Sequence, residues 1–253
     1  MGLGRILVAA DGSPHSEHAL EIGKQLAVRS GACLAVVRVR EPRSPETASD
    51  RGPSDSVAQV FRRDGVPGVE IARCAEQWGA DLVVMGRNGH VTPRLGTTTE
   101  MVLRRRQGLT LLIPRKVSTF GRVVYALDGS ERGLRILDAA GHFPAITGGS
   151  PMAVCVLPPD SVRQIPGGAW PPHPRSSRVE GAMARRPELG GLASLAMRWG
   201  DPVDEVLRHL TETAAQLLVL GLRHGEPGGD PGSGHIARDL LHAVPVAILT
   251  VPI

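Results

Sequence analysis

Apolar residues in this chain fall into two alternating patterns, short unbroken runs and longer stretches in which they recur every three or four positions. The first run, RILVAA at residues 5–10, reads as a buried strand that stops at Asp11-Gly12. Ser13-Pro14 then opens a helix, because serine caps a helix start and proline suits its first turn. Ala19, Ile22, Gly23 and Leu26 form one stripe along it, and Ser30-Gly31 closes it. Residues 34–39 (LAVVRV) are the next strand, so the chain opens as a βαβ unit, which argues for a parallel sheet. Residues 41–56 are polar and broken by Pro42, Pro45 and Pro53, a crossover with no room for a long helix. A third strand is expected at 57–61, a helix at 68–78, a strand at Leu82-Val83-Val84-Met85, a helix at 98–106 and a last strand at 109–113.

The pattern then restarts. Residues 122–130 (RVVYALDGS) repeat 5–13 almost type for type, and 215–221 (AQLLVLG) repeat 80–86. Asp128 follows Asp11 by 117 residues, and Gly221 follows Gly86 by 135. Residues 244–249 parallel the last strand of the first half. This is an internal duplication with a longer middle in the second copy. It divides the chain into domains at 1–117 and 118–253. The extra length falls in the proline-rich stretch 158–187, read as a mostly irregular excursion with a helical turn near 179–185.

Composition adds limits. At 42% hydrophobic and 3% aromatic, the core is aliphatic. No apolar stretch reaches the roughly 20 residues that span a bilayer, and the N-terminal residues turn polar too soon for a secretory signal, so no membrane partner and a cytoplasmic location are expected. The net charge of +4 comes from basic residues of which only Lys24 and Lys116 are lysine, a chain-wide preference for arginine. With so few aromatics to stack on bases, nucleic acid is not an expected partner. Cys33, Cys74 and Cys155 show no metal spacing, and Cys33 and Cys155 are read as buried small residues of the second strands. His15 and His18, one turn apart, lack a third ligand and are read as an exposed face, as are His235 and His242 around the last helix. Arg104-Arg105-Arg106 is read as a helix end where cations suit the dipole. No metal site and no catalytic residue are expected.

The candidate chemistry lies at residues 80–103. A strand ends at Gly86, a loop with Gly89 and Gly96 follows, and Thr97-Thr98-Thr99 open a helix. Glycines allow close backbone approach, and a helix N-terminus favours an anion. The stretch reads as a shortened phosphate loop.

The strand–Asp-Gly-Ser–helix opening, the ADLVVMG strand, the glycine loop and the final apolar strand, in that order and twice, resemble the universal stress protein family in its tandem form. The resemblance covers nearly the whole chain except the two proline-rich crossovers. It implies an α/β fold of two consecutive Rossmann-like (adenine nucleotide alpha hydrolase-like) domains, each a five-stranded parallel sheet of order 3-2-1-4-5 with helices on both faces. Ligands in such sheets bind beyond the carboxyl ends of the strands, where the order reverses. Many members bind ATP through Gly, two residues, Gly, nine residues, Gly and Ser or Thr. Here six residues separate Gly89 from Gly96-Thr97, with Pro93 among them; the second copy has Gly221, His224 in place of the second glycine, and Gly232-Ser233, two residues short. By the resemblance Asp11 and Val39 lie near adenine, with Asp128 and Leu157 as counterparts, and Thr97 and Ser233 are hydroxyl donors to phosphate.

Two functions stay open. One is a cytoplasmic, ATP-binding regulator of the stress response, with Mg2+ accompanying the nucleotide and at most slow ATP hydrolysis. The other is a nucleotide-free scaffold or protein-interaction module in which Asp11-Gly12 and Asp128-Gly129 are only turns. The resemblance further implies that the last strands of the two halves pair as an intramolecular pseudo-dimer, from which a homodimer can form.

Overall fold

Each of two compact units (Met1–Ser118 and Thr119–Ile253) carries five parallel strands. The structure is a computed structural model; it describes residues 2–41, 59–87, 95–114, 117, 119–157, 174–189, 195–223 and 235–253.

The first unit runs β1 (Arg5–Ala9), α1 (Pro14–Ser30), β2 (Cys33–Arg40), β3 (Gln59–Asp64), α2 (Pro67–Trp78), β4 (Leu82–Gly86), α3 (Thr97–Arg105) and β5 (Leu109–Ile113). Its strand order is β3-β2-β1-β4-β5, all parallel. Helix α1 begins as its sequence requires: the Ser16 amide donates to Ser13 Oγ at 3.2 Å, and Gly31 at φ 70° ends it in the left-handed region. The stripe Ala19, Ile22, Gly23, Leu26 is buried. Gly23 is needed for contact, since a Cβ there would stand 2.5 Å from Val8 Cγ2. Strands β1 and β4 bury nearly every side chain, each worth roughly 1.5–3 kcal/mol of transfer free energy for a large aliphatic residue.

The second unit runs β6 (Arg122–Leu127), α4 (Glu131–Ala140), α5 (Phe143–Thr147), β7 (Ser150–Leu157), α6 (Pro174–Ala184), β8 (Leu195–Trp199), α7 (Pro202–Glu212), β9 (Leu217–Leu222), α8 (His235–Ala243) and β10 (Ala247–Pro252). Its order, β8-β7-β6-β9-β10, is the same topology. The likeness reaches single side chains. Gly65 (φ 144°) and Gly200 (φ 145°) follow the third strand of each unit, and in each a buried glutamate, Glu70 or Glu205, stands 3.1 Å from where a Cβ would be. Arg73 pairs with Glu70 as Arg208 pairs with Glu205. All these positions differ by 135, so the second unit's additional eighteen residues (135 less 117) lie before β8.

Several expectations need correction. The third strand, expected at 57–61, is β3 and runs on through Arg62 and Arg63 to Asp64; an edge strand tolerates charged side chains. Val57 and Ala58 lie outside the described residues. The stretch 158–187 is not mostly irregular in its described part: α6 has Pro174 at its start and buries Val179, Ala182 and Met183 at helical spacing. Cys33 is exposed, because β2 begins one residue earlier than its apolar run and Cys33 sits at the sheet's rim; Cys155 is buried as expected. The arginine triplet does end α3, as expected, but its members differ. Arg104 pairs with Glu100, whereas Arg106 is buried and donates to the carbonyls of Ala80 (2.7 Å) and Leu109 (3.3 Å). Burial lowers its pKa to about 10, partly offset by Asp81. His15 and His18 are half-buried rather than an exposed face, and His18 Nε2 lies 2.5 Å from the Val117 carbonyl oxygen. Among the described residues no helix is long and apolar enough to cross a membrane, and no group of three metal-ligating side chains occurs.

Candidate functional site

In the first unit β1 lies between β2 and β4, so the order reverses between β1 and β4 and their carboxyl ends face one crevice. Asp11 stands just past β1 and is exposed. Its Oδ1 accepts from the Ser13 amide at 2.9 Å, and its own amide donates to Ser16 Oγ at 3.2 Å. Gly12 supplies the turn at φ 79° and is exposed as well. These bonds hold the Asp11 carboxylate in a fixed place at the start of α1.

Gly86 ends β4 beside that turn. A Cβ on it would stand 3.3 Å from His15 Cβ and 3.6 Å from the His15 carbonyl oxygen, so the first turn of α1 lies against it. The Gly86 carbonyl accepts from Thr99 Oγ1 at 3.4 Å, and the Arg87 carbonyl accepts from the Gly96 amide at 3.3 Å. These two bonds bring the start of α3 back to the end of β4. Gly96 is the N-cap and gives no side-chain cap bond; Thr97 is exposed and Thr98 half-buried. First-turn amides have no acceptor within their own helix, and with the helix dipole they favour an anion by about 0.3–1 kcal/mol. Val39 is half-buried near the end of β2, one strand from Asp11. Asp11, Gly86, Gly96, Thr97 and Thr98 are thus gathered at one end of one sheet. Gly89 lies outside the described residues.

Arg87 was not singled out by sequence pattern. It directly follows Gly86, is 4% exposed, and burial lowers its pKa. A buried cation beside an anion-type loop is chemically apt, but an arginine after a glycine reads as surface loop unless its burial is known.

The second crevice differs. Asp128 Oδ1 accepts from the Ser130 amide (2.9 Å) and hydroxyl (2.7 Å), while Oδ2 faces Arg223 Nη2 at 3.6 Å. Gly221 is held by packing, because a Cβ there would stand 2.6 Å from Ile253 Cδ1 and 3.0 Å from Ile136 Cδ1. The counterpart of Val39 is Val156, not Leu157. Val39 is in register with Arg63 and Val156 with Arg198, whereas the carbonyls of Arg40 and Leu157 both accept from the glycine after the third strand. Gly232 and Ser233 lie outside the described residues.

Comparison with known proteins agrees with the fold and the duplication. No functionally curated protein matches the sequence. A universal stress protein from Archaeoglobus fulgidus has a similar structure, with a TM-score of 0.71 at 18% identity over 98% of both chains. A functionally unknown protein from Pseudomonas aeruginosa gives 0.73 at 14% identity, over 99% of this chain and 92% of its own. The model of the universal stress protein family matches residues 2–62, 54–107 and 119–252. With the βαβ opening, the reversal in strand order and a glycine near the carboxyl end of the fourth strand each present twice, the chain belongs to the universal stress protein family, in its tandem form.

Proposed function

We propose that the first unit binds an adenine nucleotide, ATP with Mg2+, and that the chain acts as a cytoplasmic regulator of the stress response. The observation that carries the reading is the convergence of the exposed Asp11-Gly12 turn and the start of α3, tied to Gly86 and Arg87, at one end of the sheet. In this reading the adenine and ribose lie beside Asp11 and Val39, and the phosphates meet the backbone of Gly86 and Gly89 and the Gly96, Thr97 and Thr98 turn. Arg87, buried directly after Gly86, adds positive charge next to the loop. Binding, with no more than slow hydrolysis, is the activity proposed. Calorimetric titration of the full chain with ATP and Mg2+ tests it. Asp11→Ala is expected to weaken binding at least tenfold, about 1.4 kcal/mol. Absence of heat at high protein concentration, with no nucleotide released on denaturation, sinks the reading.

The nucleotide-free scaffold is the second reading, favoured by the three-residue deficit between Gly89 and Gly96. It predicts full partner binding in an Asp11→Ala chain.

A further inference from the structure

The second unit's extra length ends in a helix that returns to the site. The first turn of α6 lies on the Asp128-Gly129 turn: a Cβ built on Gly129 would stand 2.5 Å from Arg175 Cβ and 2.9 Å from the Arg175 carbonyl oxygen. Gly129 is buried, whereas Gly12, its counterpart 117 residues earlier, is exposed. At φ 68°, and with no room for a side chain, the position accepts only glycine without strain. The helix is seated along its length. Val179, Ala182 and Met183 are buried, the Leu189 side chain behind it is buried too, and Arg186 forms an ion pair with Asp138 at the far end of α4. Burial pushes the Cys155 thiol up to about 12, with Asp128 adding to the rise and Arg175 offsetting it, so both charges act near the end of β7.

We infer that α6 is a built-in plug of the second crevice, so that the chain takes one nucleotide, in its first unit. This rests on the nucleotide reading of the first unit. A nucleotide beside Asp128 would need the space over the Asp128-Gly129 turn, and the first turn of α6 occupies it. What α6 presents there is the Cβ and carbonyl oxygen of Arg175 at contact distance, so the exclusion is steric. Asp128 is meanwhile engaged by Ser130 and Arg223. The duplication has therefore kept two crevices of one topology and closed one with its own insertion.

Equilibrium dialysis of the full chain against radiolabelled ATP gives the site count, and amide hydrogen exchange without nucleotide reports the seating of α6. The expected results are one ATP per chain, lost in Asp11→Ala, and slower exchange at Gly129 than at Gly12. Two ATP per chain, or one that persists in Asp11→Ala, overturns the plug. So does exchange at Gly129 as fast as at Gly12, whether or not nucleotide binds. No bound ATP at all overturns the reading of the first unit, and slow exchange at Gly129 would then still support the plug.

Discussion

At the scale of single residues, the two units differ at a buried position that changed type. His209 on α7 occupies the place that Cys74 holds on α2, and both are buried. His209 Nδ1 lies 3.4 Å from Arg198 Nη2, and Arg198 also reaches Glu205 and Glu212. Burial lowers the pKa of His209, Arg198 lowers it further, and Glu212 partly restores it. The folded state therefore binds this proton less readily than the unfolded chain, where histidine titrates near 6.5. Stability should be fully present above that value and fall as pH drops through it toward the lower folded pKa, by at most about 1.4 kcal/mol per pH unit. Denaturant unfolding of the second unit between pH 7 and pH 5 measures this. His209→Cys, which installs the first unit's residue, should flatten the profile, and an unchanged slope would remove His209 as its cause. Asp11 is the other residue on which much depends, and its substitution by alanine is expected to cost nucleotide affinity without loss of fold, because the turn's Gly12 and the Ser13 cap remain.

At the scale of elements, comparison of the units locates strain. Gly79 follows α2 at φ 67°, and its counterpart after α7 is Ala214 at φ 45°, a left-handed conformation that costs a residue with a Cβ about 1–2 kcal/mol. Both helices close alike, the amide of Ala80 donating to Ala75 and that of Ala215 to Leu210. Ala214→Gly should accordingly stabilise the second unit by about 1 kcal/mol, less the entropy that glycine adds to the unfolded chain, and Gly79→Ala should destabilise the first. Chemical denaturation of each variant settles the signs; a destabilising Ala214→Gly would show that the strain is smaller than the entropy glycine adds to the unfolded chain. Elements whose signal is local were legible in the sequence. The Ser13-Pro14 start, the Gly31 stop and the buried run of β4 each follow from residues within one turn or strand of themselves. Helix α6 was legible only in its second half, as the helical turn near 179–185, because prolines on its N-terminal side mask a start in which Pro174 is itself the first residue. The burial of Arg87 and Arg106 was not legible, since it depends on what distant segments place over them. Of the candidate site, the sequence marked Asp11, Gly86 and the Gly96-Thr97 turn, which lie together. It misplaced the counterpart of Val39 by one residue: the 117-residue offset that relates Asp11 to Asp128 leads from Val39 to Val156, in agreement with the strand register.

At the scale of the molecule, the chain carries one design twice with unequal results. The same strand order, the same glycine after the third strand and the same buried glutamate recur, so the scaffold is retained in both units. The two crevices are not alike: one presents an exposed Asp11-Gly12 turn, and the other places α6 on the buried Gly129. Under the proposed function this implies a division of labour, with nucleotide taken by the first unit alone. The most direct test is an experimental structure of the full chain with saturating ATP and Mg2+. The account predicts adenine density beside Asp11 and Val39, phosphate density at the start of α3, and α6 still seated on Gly129. A nucleotide held beside Asp128 with α6 displaced, or an empty first crevice at saturation, would contradict it.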